Sequence, residues 1–173
     1  MSFSGVAAIS IWYLDIVRIG APVEAVTNAT EPVVGWKIWR VEHSEERTRL
    51  RSVLYGSLWP PGRPAVADCK KLYRARHEAP DPLCECGIHV AKSLEQWRHY
   101  LAVGGDRVFG RALLWGDRLE GELGWRAATA YPLALYVPAT LDDAEAIAAG
   151  LAVYGVPVEI AGVQPPVHEA VAA

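Results

Sequence analysis

The chain has 173 residues, of which 51% are hydrophobic and 21% are charged. This balance is typical of one folded domain with a buried core, and it excludes a wholly disordered protein. The net charge of −3 excludes binding through a basic surface that covers the whole protein. Three cysteines are an odd number, which favours reduced thiols in the cytoplasm over the disulfide framework of a secreted protein.

The N-terminal segment carries an apolar run at residues 5–14, followed by Asp15 and Arg18. The run is too short to span a bilayer, which needs about 20 apolar residues, and it lacks the flanking residues of a signal peptide. A strand or an extension docked on the domain would bury it. Residues 20–32 show no strong period and predict a linker.

Several segments have the character of strands. Large and polar residues alternate at 36–41 and predict a half-buried strand. The charged segment 42–51 mixes both signs and predicts an exposed turn or a short helix. A second strand is predicted at 52–58, before the Pro-Pro-Gly turn of residues 60–62, because proline cannot donate to a strand ladder.

The second half of the chain predicts further strands at 107–115, at 125–137 and at 156–160. Residues 125–137 form one strand or two, because Pro132 interrupts them. Residues 116–124 predict a polar connection between the strand at 107–115 and residues 125–137.

Two helices are predicted. The first, at residues 93–103, has Ser93 and Gln96 in the spacing of a capping box. The second follows Thr140 as N-cap, with acidic residues in its first turns, where the helix dipole favours anions. Gly155 is a natural residue to end it.

These elements predict a single α+β domain at residues 34–162, with a mainly antiparallel sheet that could curl into a barrel. A Cys-rich loop at residues 69–89 would brace the edge of the sheet. Residues 163–173 would form a loose tail.

The Cys-rich loop holds all three cysteines and two of the five histidines. Zinc binds four ligands in a tetrahedron, usually thiolates and imidazoles. Cys84 and Cys86 are separated by one residue, so in an extended backbone both side chains point to one face and can share an ion. The predicted zinc ligands are Cys69, His77, Cys84 and Cys86, with His89 as a substitute fourth ligand.

Other interpretations of the cysteines stay open. They could be free thiols in a core, where cysteine behaves as a small hydrophobe. Cys69 could instead form a disulfide with Cys84 or Cys86. A catalytic thiol is a further alternative, in which Cys84 or Cys86 pairs with His77 or His89.

Two groups of side chains are candidates for binding a partner. The first is basic and aromatic and lies inside the Cys-rich loop, where it could contact nucleic acid. The second surrounds Arg126, which could form an ion pair with Glu120 or Glu122. Alternatively, these groups could line a polar pocket with Tyr131. The candidate partner-binding residues are Lys70, Lys71, Tyr73, Arg74, Arg76, Trp115, Trp125 and Arg126.

Several short motifs occur together between residues 35 and 160. They are Trp-Pro-Pro-Gly at 59–62, Cys-Glu-Cys-Gly-Ile at 84–88, Gly-Arg-Ala-Leu-Leu-Trp-Gly at 110–116, Gly-Trp-Arg-Ala at 124–127, Ala-Tyr-Pro at 130–132 and Tyr-Gly-Val-Pro at 154–157. The set resembles that of a family of small uncharacterised actinobacterial and phage-type proteins. The family often has Tyr at the position of His89, which favours His77 as the fourth ligand, and Ala112 stands where Val is expected. The resemblance implies a single domain, with residues 1–33 as an N-terminal extension, and no particular activity.

The sequence therefore predicts a non-enzymatic, zinc-stabilised binding or adaptor module in the cytoplasm, with a protein or a nucleic acid as its partner. The alternative is a small zinc- or thiol-dependent enzyme that uses Cys84 or Cys86 with His77 or His89. A closed site of four protein ligands is structural, whereas three ligands and a water are typical of a catalytic zinc.

Overall fold

The computed structural model describes residues 22–44, 46–70, 77–97 and 105–162, with side chains described from residue 31 onwards. Within that part of the chain there are eight strands and one α-helix. The strands are β1 (Pro22–His43), β2 (Thr48–Ser52), β3 (Leu58–Trp59), β4 (Ala65–Val66), β5 (Ile88–Ala91), β6 (Arg107–Gly121), β7 (Gly124–Pro138) and β8 (Val158–Ala161). The helix is α1 (Ala144–Leu151), and 3₁₀ helices lie at Leu94–Trp97 and Ala152–Tyr154.

Four strands form a closed ring. β1 pairs antiparallel with β6, β6 with β7, β7 with β5, and β5 with β1 through Trp36 and Ala91. β2 and β3 extend the sheet from β1, and β4 adds to β7. β8 pairs parallel with β7, which makes the sheet mixed. The prediction of a single, sheet-rich α+β domain is confirmed.

β1 begins at Pro22, so the prediction of a linker at residues 20–32 is wrong. Its backbone pairs with β6 from Pro22 opposite Gly121 onwards, with register irregularities before residue 33. Such irregularities reset the alternation of side chains between the two faces, and this part of the strand therefore shows no period in the sequence. The predicted boundary after residue 33 falls inside β1, and residues 1–21 lie outside the described residues.

The predicted strand at 52–58 is wrong, because the turn between β2 and β3 occupies most of it. The charged segment at residues 42–51 predicts a turn or a short helix, but it contains most of β2. Thr48 and Leu50 of β2 are buried, while the arginines between and after them are partly exposed. Arg51 donates from Nε to the Glu42 carboxylate at 2.8 Å. The outward-facing charges masked the alternation that is typical of a strand.

β6 and β7 are longer than predicted and meet in a tight hairpin, so the polar connection predicted at residues 116–124 is wrong. Gly116 has φ +76° at an irregularity in the ladder, where the left-handed conformation suits glycine. Pro132 does not interrupt the second strand. It lies opposite Ala112 at another irregularity, where a missing N–H donor is tolerated.

The second predicted helix is present as α1, although it begins later than expected. Asp143, not Thr140, occupies the N-cap position, and no side-chain hydrogen bond caps the helix. Gly155 has φ +68° and ends the following 3₁₀ helix, as predicted.

The first predicted helix is described only over its first turn, the 3₁₀ helix Leu94–Trp97. The backbone N–H of Ser93 donates to the Gln96 side chain at 3.1 Å, which is half of the predicted capping box. Residues 98–104 lie outside the described part of the chain.

The main core lies between the ring of strands and α1. Trp39 of β1 and Trp59 of β3 are fully buried there and meet edge to face, with ring centroids 5.3 Å apart. The Tyr154 hydroxyl accepts from the Leu50 N–H at 2.8 Å and donates to the Trp59 carbonyl at 2.6 Å. These bonds join the C-terminal end of the helical segment to β2 and β3. A second, smaller cluster is built around Ile38, Trp97 and Phe109.

Candidate metal centre

The four predicted ligands lie on the segment between β4 and β5, where Asp81 organises a turn. Its backbone carbonyl accepts from the Cys84 N–H at 3.0 Å, and its side chain accepts from the Leu83 N–H at 2.8 Å. Gly87 follows with φ +118°, and a Cβ at this position would press on Pro80 and Arg126. Glycine is therefore required here by both its conformation and the available space.

The ligand atoms of the four residues converge on one point. They all lie within 4.8 Å of one another. The Sγ atoms of Cys69 and Cys84 are 3.8 Å apart, and Nε2 of His77 is 3.3 Å from Sγ of Cys86. In a tetrahedral site with Zn–S bonds of about 2.3 Å, two sulfur atoms are about 3.8 Å apart. The donor set and its spacing therefore fit a zinc ion.

Burial differs between the two halves of this cluster. Cys84 and Cys86 are buried, whereas Cys69 and His77 are partly exposed. All three cysteines are free thiols, so neither of the disulfides considered from the sequence is present.

The two buried thiols have opposite pKa shifts. Burial raises the pKa of Cys84, but hydrogen bonds from the Cys86 backbone and from neighbouring side chains outweigh this effect and lower the pKa to about 7. Burial raises the pKa of Cys86 to about 11, and the contact with Cys84 adds to the rise. The thiolate is the form that binds a metal. Cys84 therefore offers a thiolate near neutral pH, while Cys86 would release its proton on metal binding.

Arg126 of β7 contacts the Cys-x-Cys segment directly. Its Nη1 donates to the backbone carbonyls of Cys84 and Cys86, the latter at 3.1 Å, and only 2% of the residue is exposed. Burial lowers the pKa of Arg126, and the adjacent thiols oppose that shift. A divalent ion with three thiolates and a neutral imidazole carries one net negative charge, which the guanidinium balances.

The predicted ion pair between Arg126 and a glutamate is wrong. Glu120 pairs instead with Lys92, at 2.7 Å. In the β6–β7 ladder Glu120 lies opposite Trp125, and successive residues of a strand point to opposite faces. Glu120 therefore shares a face with Trp125 and not with Arg126. Tyr131 donates its hydroxyl proton to the Tyr154 carbonyl at 2.8 Å and lies apart from this site.

His89, the predicted substitute ligand, does not belong to the cluster. It is buried on β5, and its Nδ1 lies 3.2 Å from the Gly87 carbonyl. Burial, together with the nearby Lys37 and Arg126, lowers its pKa to about 3. His89 is therefore neither a fourth zinc ligand nor a base for one of the cluster thiols.

Four of the eight predicted partner-binding residues lie in the described part of the chain. Lys70 is exposed beside ligand Cys69 and pairs with Asp68 at 2.6 Å. Trp115 lines a shallow apolar groove whose lining includes neither Trp125 nor Arg126. The ring of Trp125 packs under the Lys92 ammonium, at 5.3 Å. The remaining candidates, which lie outside the described residues, are Lys71, Tyr73, Arg74 and Arg76.

One buried charge was missed from the sequence. Lys37 is only 6% exposed, and its Nζ donates to the His89 carbonyl at 2.9 Å. The sequence contains one weak signal for its burial, which is that Lys37 lies between the large apolar residues Trp36 and Ile38. The structure shows that both faces of the strand are buried at this point. Polar residues at such positions are easily taken for the solvent-facing half of an alternating strand.

Comparison of the chain with family models, with curated proteins and with solved structures finds no match. Among the described residues, no helix has the length and hydrophobicity needed to cross a membrane. Function is therefore inferred from the geometry of the Cys/His cluster and its surroundings.

Proposed function

We propose that the protein is a non-enzymatic binding module whose Cys-rich loop is held in shape by zinc. The observation that carries the proposal is the convergence of four ligand atoms of a Cys₃His set within 4.8 Å. Four protein ligands leave no open position on a tetrahedral ion, and such closed sites are structural. The buried guanidinium of Arg126, which binds two carbonyls of the loop, supports the same assignment.

The described stretch of the loop between Asp81 and Gly87 has little apolar burial to hold it without a metal. Leu83 is 83% exposed, and the buried side chains between Asp81 and Gly87 are the two ligand thiols. Zinc binding would supply the missing stability, because the free energy of binding adds to that of folding. Residues 70–76 lie between ligands Cys69 and His77 in the chain, so zinc would close them into one basic loop.

The partner in this proposal is a nucleic acid or a protein that contacts the basic loop. Binding to phosphates would weaken steeply with rising salt, because counterions are released when Lys and Arg neutralise phosphates. An apolar protein interface would show a much weaker dependence. The salt dependence of binding to a mixed-sequence single-stranded oligonucleotide therefore separates the two classes.

Metal content tests the proposal directly. We expect about one zinc per chain after purification under reducing conditions, as measured by mass spectrometry of the metal. Cys84→Ser should lose the metal and destabilise the fold, and His77→Ala should bind zinc more weakly. His43→Ala is the matched control, because His43 is exposed and bonds only to Thr48 among the described residues. Wild-type protein without zinc would overturn the proposal.

The second candidate function is a thiol- or zinc-dependent enzyme, and one contact favours it. His77 Nε2 lies 3.3 Å from Cys86 Sγ, within reach of a nucleophile–base pair. Iodoacetamide labelling distinguishes the two candidates. In a closed zinc site the metal should protect Cys86 from alkylation, and chelation should expose it. A Cys86 that is alkylated rapidly in the zinc-loaded protein, with zinc retained by His77→Ala, would favour the enzyme.

A further inference from the structure

A cavity of about 350 Å³ adjoins the Cys-rich loop. Its walls come from the β2–β3 turn, from Lys37 of β1, from the segment around β4, and from residues 86–89 before and within β5. This volume lies at the lower end of the range typical of small-molecule sites. The cavity therefore has room for a small ligand.

Lys37, one of the residues that line the cavity, carries a buried amine. Nζ of Lys37 donates one hydrogen bond, to the His89 carbonyl, and lies 5.4 Å from the centroid of the Trp59 ring. Among the described residues, no carboxylate lies within ion-pair distance of this nitrogen. Burial lowers the pKa of Lys37 to about 7, as expected for an ammonium without an anionic partner.

The other charged groups of the lining do not compensate Lys37. Asp68 pairs with Lys70, so their charges cancel locally. His89 is neutral, because burial lowers its pKa to about 3. An anion bound in the cavity would therefore favour the protonated form of Lys37 and pair with it in a setting of low dielectric constant, where such an interaction is strong.

The rim of the cavity is apolar and open to solvent. Leu54, Tyr55, Leu58 and Val66 all line the cavity and are exposed, Val66 to 73%. Large hydrophobic side chains that surround a concave site are typical of ligand-binding surfaces. A ligand with an apolar body would cover them.

We propose that this cavity binds a small organic anion with an apolar body, whose acidic group pairs with Lys37 and whose body packs against Trp59 and the rim. The inference deepens the proposed binding function, and it rests on that function because the Cys-rich loop supplies one wall. Zinc would fix this wall, since Cys86 belongs both to the cluster and to the cavity lining.

A pair of fluorescent probes tests the charge requirement. 8-Anilinonaphthalene-1-sulfonate is an apolar anion, and N-phenyl-1-naphthylamine has the same rings without the sulfonate. Wild-type protein should bind both saturably, and Lys37→Met should weaken binding of the sulfonate by at least about tenfold, since hydrogen bonds to charged groups contribute about 1.5–3 kcal/mol. Binding of the neutral probe should change by less than about twofold. Equal affinity of both proteins for the sulfonate would overturn the inference.

A second pair of variants keeps the test independent of Lys37. Val66→Glu places a negative charge on the rim and should weaken binding of the sulfonate probe. Ile160→Glu changes another exposed apolar residue, one that does not line the cavity, and should leave binding unchanged. Near-ultraviolet circular dichroism of the tryptophans verifies that each variant is folded. Equal effects of the two glutamates would contradict the proposed location.

Zinc content measured on the same samples separates this inference from the proposed function. One zinc per chain without saturable probe binding would overturn the cavity inference and leave the metal site standing. Probe binding that depends on Lys37 in zinc-free protein would support the cavity inference and overturn the role of zinc. Absence of both zinc and saturable probe binding would overturn both.

Discussion

The tryptophan core and the Cys-rich loop of this protein are stabilised in different ways. Trp39 and Trp59 are fully buried in a core of apolar side chains, and their stability comes from the hydrophobic effect. The Cys-rich loop instead relies on thiols, an imidazole and carbonyls that receive hydrogen bonds from Arg126. The core is stabilised by the packing of its own side chains, whereas in our proposal the loop is stable only with a bound metal. Each region should therefore respond to a different kind of change.

The largest expected effect comes from truncating the core. Trp39→Ala should lower the free energy of unfolding by about 3–5 kcal/mol, because it removes a large buried ring and leaves a cavity. Urea denaturation followed by circular dichroism measures the loss. Leu133→Ala is the control, since Leu133 is 44% exposed, and it should change stability by less than about 0.5 kcal/mol. If the core and the loop are stabilised independently, the folded Trp39→Ala protein should bind as many zinc ions per chain as the wild type.

A smaller loss is expected from removing one buried hydroxyl. Tyr154→Phe leaves the Leu50 N–H and the Trp59 carbonyl without this partner and should cost about 1–3 kcal/mol in urea denaturation. Tyr136→Phe is the matched control, because no hydrogen bond of the Tyr136 hydroxyl is found within the described residues. Equal stability of the two variants would show that the helical segment is not held to β2 and β3 by this hydroxyl.

Apart from the ligands themselves, the buried cation Arg126 should matter most to the loop. Arg126→Met removes the hydrogen bonds to the carbonyls of Asp81, Cys84 and Cys86 together with the balancing charge. It should weaken zinc binding by about 10–100-fold, as the loss of other groups that support metal ligands does. Competition with a fluorescent zinc indicator measures the change. Arg126→Lys keeps the positive charge but lacks the planar set of guanidinium donors. Its zinc affinity should lie between those of wild type and Arg126→Met. Arg40→Met, at an exposed position of β1, should bind zinc like wild type.

The smallest effect is expected at the surface pair of Lys92 and Glu120. Lys92→Met should change the free energy of unfolding by about 0–1 kcal/mol, because both side chains are more than one-third exposed and water screens the pair. The difference from wild type should disappear in 1 M salt, where the screening length is about 3 Å. A change as large as that of Tyr154→Phe would mean that this pair belongs to the core and not to the surface.

Much of the local structure could be read from the sequence. The turn at residues 60–62, the end of the helical segment at Gly155 and the strands that became β6 and β7 follow from turn residues and from periodic hydrophobicity. The four residues of the Cys₃His cluster could also be named, because their side chains are ligand types that lie close together in the chain. Each of these features is formed by residues that are close together in the sequence.

Only the tertiary structure decided how distant segments meet. β1 and β5 close the ring through a single residue pair, and the irregular register of β1 hid its first half from any periodic pattern. Arg126 bonds to carbonyls 40 and 42 residues away, although a glutamate nearby in sequence was the expected partner. Lys37 is buried because its amine reaches a carbonyl 52 residues away. Backbone carbonyls occur at every residue, so the sequence cannot mark which of them will bind a buried cation; that choice depends on how the strands pack.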